Sequence, residues 1–220
     1  MTAIAKDPAT GVTARAAGFI HAAAWILGLA AAWGATPEVG DTHVGITTAY
    51  ADRPVQAVAQ ALLVHGVAAV SLVVVGSGLL DWARRTSNTA ARMAGWAGRV
   101  AGALAFVQLV LELIAVPGAD PASPGRTGAL FEAVQRADGV KMFALAALAA
   151  LAVAACAASQ HGTLLRRWEV VIGWVLAVTI TASGIGYLLL STALTSTAFI
   201  SLPLLLIWIA ALGAALRRRP

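Results

Sequence analysis

Apolar residues fill this chain in long runs, not in stripes. Six runs stand out: Ala16 to Trp33, Val55 to Leu80, Trp96 to Val116, Val140 to Ala158, Val170 to Leu190 and Ala198 to Leu216. A helix needs about 20 apolar residues to cross a hydrocarbon layer of about 30 Å, and each run is close to that length. An amphipathic core helix would instead show apolar residues every third or fourth position, with polar ones between. The pattern therefore predicts an all-α polytopic membrane protein, a six-transmembrane-helix bundle forming a single domain over 16–216. A polar tail over 1–15 and a basic tail over 217–220 flank it. The stretch MTAIAKDPATGVTAR has too little apolar core for a cleavable signal peptide, so the first span is expected to act as the insertion signal.

An even number of spans puts both termini on one side. Lys6, Arg15, Arg84, Arg85, Arg92, Arg99, Arg166, Arg167 and Arg217 to Arg219 fall on that side, against Arg53, Arg126, Arg136 and Lys141 on the other. Lys and Arg are enriched in cytoplasmic flanks, so both termini are expected in the cytoplasm, with the chain multi-pass in the plasma membrane. Two longer connections then face outward, GATPEVGDTHVGITTAYADRP and PGADPASPGRTGALFEAVQRADG, and they hold most of the acids. Connections longer than about 12–15 residues are often lids or binding loops. In the second, Leu130, Phe131 and Val134 recur at helical spacing among polar neighbours. Thr127 to Ala137 is predicted as a short amphipathic helix lying on the outer surface.

Polar residues inside the spans carry the candidate chemistry. Glu112 is the deepest acid, within VAGALAFVQLVLELIAV. A carboxylate at that depth costs roughly 2.5–3.5 kcal/mol even on a lenient insertion scale, so something must offset it. Gln108 lies one turn away on the same face, which continues through Ala105, Ala101 and Ala97. Such a face is suited to other helices or a cavity, not to lipid. Gln60 and His65 fall in the outer half of the second span, and Asp138 and Lys141 at the outer end of the fourth. Tyr187 falls in the outer half of the fifth, while His21 falls inward of the middle of the first. This one-sided distribution predicts a pocket in the outer half lined by Glu112, Gln108, His65 and Gln60, roofed by the helix around Phe131. Plainer readings remain open. Glu112 could pair with Lys141 and pin two helices together, His65 could bond a backbone carbonyl, and Tyr187 and Tyr50 could be interface anchors. Trp25, near the middle of the first span, offers an aromatic wall.

Composition narrows the chemistry. The chain is 60% hydrophobic and 11% charged, well below the quarter usual for a soluble domain. Its net charge of +5 comes from basic residues dispersed at helix ends, which topology explains better than nucleic acid. A single cysteine, Cys156, excludes a disulfide framework and a thiolate metal cluster. There is no HExxH, CxxC, P-loop or dinucleotide fingerprint. No metal or cofactor is expected. Acid–base chemistry by isolated carboxyl groups remains, with His65, Gln and Tyr as helpers.

The six short spans, the pair His65-Gly66, the carboxylate at Glu112 and the RADGVKMF stretch resemble small six-span proteins of actinobacteria. In size and span count the chain also resembles the membrane-bound terpene cyclases, which likewise lack DDxxD and DxDD motifs. That resemblance implies acid-initiated cyclisation of a lipophilic isoprenoid substrate, with Glu112 or Asp138 as the proton donor. His65, Gln60, Gln108, Trp25, Tyr187, Phe131 and Lys141 would then contact the substrate. Desolvation disfavours an ionised carboxylate, so a buried acid can keep its proton at neutral pH and deliver it. Two other classes stand beside this one: a proton- or solute-handling carrier or sensor, and a structural membrane subunit without catalysis. The partners expected are a lipophilic small molecule and membrane lipids.

Overall fold

The computed structural model describes residues 8–33, 36–157 and 164–217. Lys6, the first residues of the expected N-terminal tail, and Arg218 to Pro220 of the basic C-terminal tail lie outside the described residues. The chain is all-helical among the described residues. We label the helices α1 (Pro8–Ala31), α2 (His43–Asp52), α3 (Pro54–Thr86), α4 (Thr89–Ala115), α5 (Pro124–Ala157), α6 (Arg167–Leu189), α7 (Thr192–Thr195) and α8 (Ala198–Arg217). Six segments are long and apolar enough to cross a membrane, namely α1, α3, α4, α5, α6 and the stretch Thr192–Leu216 containing α7 and α8. This is a multi-pass membrane protein.

Local chemistry sets the helix ends. Asn88 caps α4 by accepting from the Ala91 amide at 2.9 Å, and Thr42 caps α2 by accepting from Gly45 at 3.1 Å. Pro54 opens α3 and Pro124 opens α5, where a missing N–H costs nothing. Buried Glu169 accepts from the Arg166 amide at 2.7 Å and closes the start of α6. Ser87 and Leu190 end α3 and α6 in the left-handed conformation, both at φ 51°.

Two elements differ from the expectation drawn from sequence. The stretch Thr127 to Ala137 is not a separate surface helix: it is the first part of α5, which runs unbroken for 34 residues. Its apolar side, with Phe131 and Val134 buried, packs against the protein. The first connection contains a helix of its own, α2, which rests on the start of α5 and buries Ile46 and Tyr50.

Each spanning helix packs on its neighbour in sequence, and α8 returns to pack on α1. The six therefore close into a ring. Small residues let the backbones meet. A Cβ on Gly76 would lie 2.7 Å from the Gly95 carbonyl oxygen where α3 crosses α4, and one on Gly139 would lie 2.8 Å from that of Gly184 where α5 meets α6. Without a hydrophobic drive between helices in lipid, close backbone contact of this kind supplies much of the association. Outward faces carry Ile26, Val70, Val178 and Phe199, all exposed, as a lipid-facing surface requires.

Within α3, residues Ala61–Val67 form π-helix, with the Ala68 amide donating back to the Leu63 carbonyl. Segments of this kind are rare and occur often at functional sites. His65 lies inside this one.

Candidate functional site

The longer helices move the polar side chains from where counting along the apolar runs placed them. Asp138 and Lys141 were expected at the outer end of the fourth span. Because α5 begins at Pro124, they lie about 21 Å and about 26 Å along it, near its middle. They are 8% and 2% exposed. The Lys141 ammonium donates to Asp138 in a close ion pair one helical turn apart. Gln108 of α4 donates through Nε2 to Asp138 Oδ1 at 3.0 Å and to the Val134 carbonyl at 3.2 Å. Lys141 Nζ also stands 5.8 Å from the centre of the Trp25 ring, within cation–π range. Every charge in this group has a partner.

The Glu112–Lys141 pin is not formed. The acid faces His65 instead, with Oε2 3.5 Å from Nε2, close enough for attraction between charges but too far for a good hydrogen bond. The pair spans two helices: the π segment of α3 presents the imidazole and α4 presents the carboxyl. Glu112 Oε2 and His65 Nδ1 are both buried without a hydrogen-bond partner among the described residues, as is Gln108 Oε1. Native structures leave few buried polar atoms in that condition, so three in one group mark the place. The charges of Lys141 and Asp138 act on both His65 and Glu112, which makes the two pairs one electrostatic unit.

Near Glu112 stands Tyr50 of α2, 2% exposed, its ring 6.4 Å edge-on from Phe131. Burial, and behind it the charge of Glu112, pushes the Tyr50 phenol pKa up. The cover is held at its rim by His43 Nε2 and Glu132 Oε1, 3.0 Å apart on the exposed surface. Phe131 thus roofs the Glu112 side of the bundle as part of α5, together with Tyr50, for which an anchor at the membrane interface was one of the open readings.

A cavity of about 60 Å³ lies at the centre of the ring, and each of the six spanning helices contributes to its wall. Of the expected residues, Trp25, Asp138, Lys141 and Tyr187 line it; Glu112, Gln108, His65, Gln60 and Phe131 do not. The expected outer pocket is therefore displaced: Glu112 and Gln108 form a packed wall beside the cavity. His21 and Ser201 line the cavity and were not expected there. Starting α1 at Pro8 puts His21 close to the middle of its helix, which the shorter apolar run concealed. Its Nδ1 lies 3.2 Å from the Ala68 carbonyl, while Nε2 has no partner among the described residues. Ser201 lies 3.1 Å from Ser183 and joins α8 to α6.

Among the described residues, Trp25 and Tyr187 are the aromatic side chains on the cavity wall. Phe106, Phe143, Trp174 and Phe199 face outward, and Trp208 is spent on a bond from Nε1 to the Glu169 carbonyl at 2.9 Å. Compared with known proteins, the chain matches no family model, no curated protein and no solved structure. The likeness to membrane-bound terpene cyclases therefore rests on size and span count, and what it implies about activity belongs among the proposals.

Proposed function

We propose that this protein handles protons within the membrane, as a carrier or sensor in which Glu112 and His65 exchange a proton. One observation carries the reading: two acid–base pairs from three helices lie in the hydrocarbon zone, linked electrostatically, and only one of them is saturated. Ionisable residues at that depth are expensive and commonly mark proton or ion pathways. Transfer from the Glu112 carboxyl to His65 Nε2 converts a neutral acid and imidazole into carboxylate and imidazolium, with no net charge created. Asp138 and Lys141 hold a fixed field beside that exchange, with Gln108 fixing the Asp138 carboxylate. The bias of Lys and Arg supports cytoplasmic termini in a plasma membrane, which places the α2 cover and Glu112 toward the outside.

The test uses purified protein in vesicles loaded with a pH-sensitive dye, with valinomycin and potassium to clamp the potential. After an external acid step, wild-type vesicles are expected to acidify at least tenfold faster than vesicles with Glu112→Gln. Equal rates, or wild-type rates no faster than those of protein-free vesicles, overturn the reading.

Acid-initiated cyclisation of an isoprenoid is the second reading, and Trp25 and Tyr187 beside Asp138 on the cavity wall favour it. Against it, Asp138 is engaged by Lys141 and Gln108, and the cavity is far below the roughly 300–1,000 Å³ of a typical ligand pocket. Product analysis after incubation with linear prenyl substrates distinguishes it from proton movement.

A further inference from the structure

The feature that the exchange between Glu112 and His65 leaves unused is the central cavity and the histidine on its α1 wall. The cavity of about 60 Å³ has the volume of about two water molecules, at about 30 Å³ each. Its wall is mainly apolar, from Leu72, Leu145, Ile180 and Leu205 among others, but its polar groups converge from four helices. They are His21 on α1, Asp138 and Lys141 on α5, Tyr187 on α6 and Ser201 on α8.

The hydrogen bond from His21 sets its tautomer. The Ala68 carbonyl can only accept, so Nδ1 carries the proton and donates. In the neutral ring Nε2 is then a bare acceptor, in a side chain 1% exposed. An acceptor buried without a donor is costly, and a polar cavity with several partners is where ordered water resides. Lys141, Tyr187 and Ser201 each carry protons such an occupant can accept, while His21 and Asp138 accept from it.

We propose that the cavity holds a cluster of about two water molecules joining the Asp138–Lys141 pair to His21, and that His21 is a further proton-accepting residue of the site. This rests on the proton-handling reading and extends it from the α3–α4 wall to α1, the neighbour of α3. A proton reaching Nε2 from the cluster makes an imidazolium whose Nδ1–H remains on the Ala68 carbonyl; the same nitrogen returns it to the cluster. Asp138, Lys141 and Tyr187 line the same cavity as His21, and the charge of Lys141 acts on it.

Solid-state NMR on histidine-labelled protein in lipid bilayers reads the site directly. The His21 Nε2 is expected unprotonated at neutral pH and in magnetisation exchange with water, with the exchange lost in Ala105→Leu, which fills the cavity from α4. Vesicle acidification is expected to fall at least tenfold both in that variant and in His21→Phe. A protonated Nε2, or one without water contact, overturns the cluster. Wild-type flux that survives both substitutions overturns the role of His21 while sparing Glu112 and His65. Absence of flux in the wild type removes the proton role altogether, and the NMR result then decides the water cluster alone.

Discussion

The middle of α5 and the facing walls of α3 and α4 each bury an acid beside a base, and they resolve the cost in opposite ways. Asp138 and Lys141 sit three residues apart on one helix, so the geometry of α5 alone brings them together. Gln108 and Trp25 complete their surroundings. Glu112 and His65 come from different helices, meet at 3.5 Å and leave a nitrogen and an oxygen unsatisfied. A saturated pair resists change, because any movement breaks a bond that nothing replaces. An unsaturated pair holds a proton loosely and can exchange it with little rearrangement. On the proton-handling reading proposed above, the difference separates a scaffold from a site within one polar cluster.

That contrast predicts an order of effects on stability. Lys141→Ala strands the Asp138 carboxylate in a buried position, and the loss is expected to be about 3–5 kcal/mol. Denaturant titration in detergent measures it; a loss under about 1 kcal/mol would show that Asp138 is not held as an ion. The double variant Asp138→Asn with Lys141→Met removes both charges and is expected to recover most of that loss. Glu112→Gln is expected to cost less than about 1 kcal/mol while abolishing proton uptake, since the amide keeps the shape and hydrogen-bonding capacity but has no acidic proton. A loss as large as that of Lys141→Ala would place Glu112 with the scaffold. His43→Ala breaks the half-exposed contact to Glu132 and is expected to cost about 0–1 kcal/mol, the level of a solvated pair. It calibrates the other two against water.

The spans were legible because their signal is length and apolarity, which does not depend on partners. The Asp138–Lys141 contact was within reach of the sequence too, once both residues are on one helix. Three things were not. The start of α5 reads as a surface helix because its polar side is visible in the sequence, while the packing of Phe131 under α2 is not. The meeting of His21 with Asp138 and Lys141 at one cavity was not legible, because apolar runs mark hydrocarbon and do not show which residues of two helices come level. The facing of His65 and Glu112 depends on the hydrogen-bond register of α3, and ALLVHGV carries no residue pattern that distinguishes π from α-helix. Thr42 was the one available sign of α2, as a capping residue before a half-apolar stretch.

The π segment makes the site sensitive to chain length as well as to chemistry. An α turn closes on the fourth residue and a π turn on the fifth, so Ala61–Val67 accommodates one residue more than a regular helix would need. Removing a single lipid-facing residue from it, such as Leu62, would let α3 relax to unbroken α-helix without loss of any polar group. Because the deletion takes out the residue that the wide turn had absorbed, the helix on either side would keep its facing, and the crossing at Gly76 and Gly95 would survive. Only the residues inside the segment would turn against their neighbours, and His65 is one of them. A one-codon deletion at a half-exposed position would thus shift His65 against Glu112 and leave the rest of the bundle in place, whereas substitutions at the same position would leave the register alone.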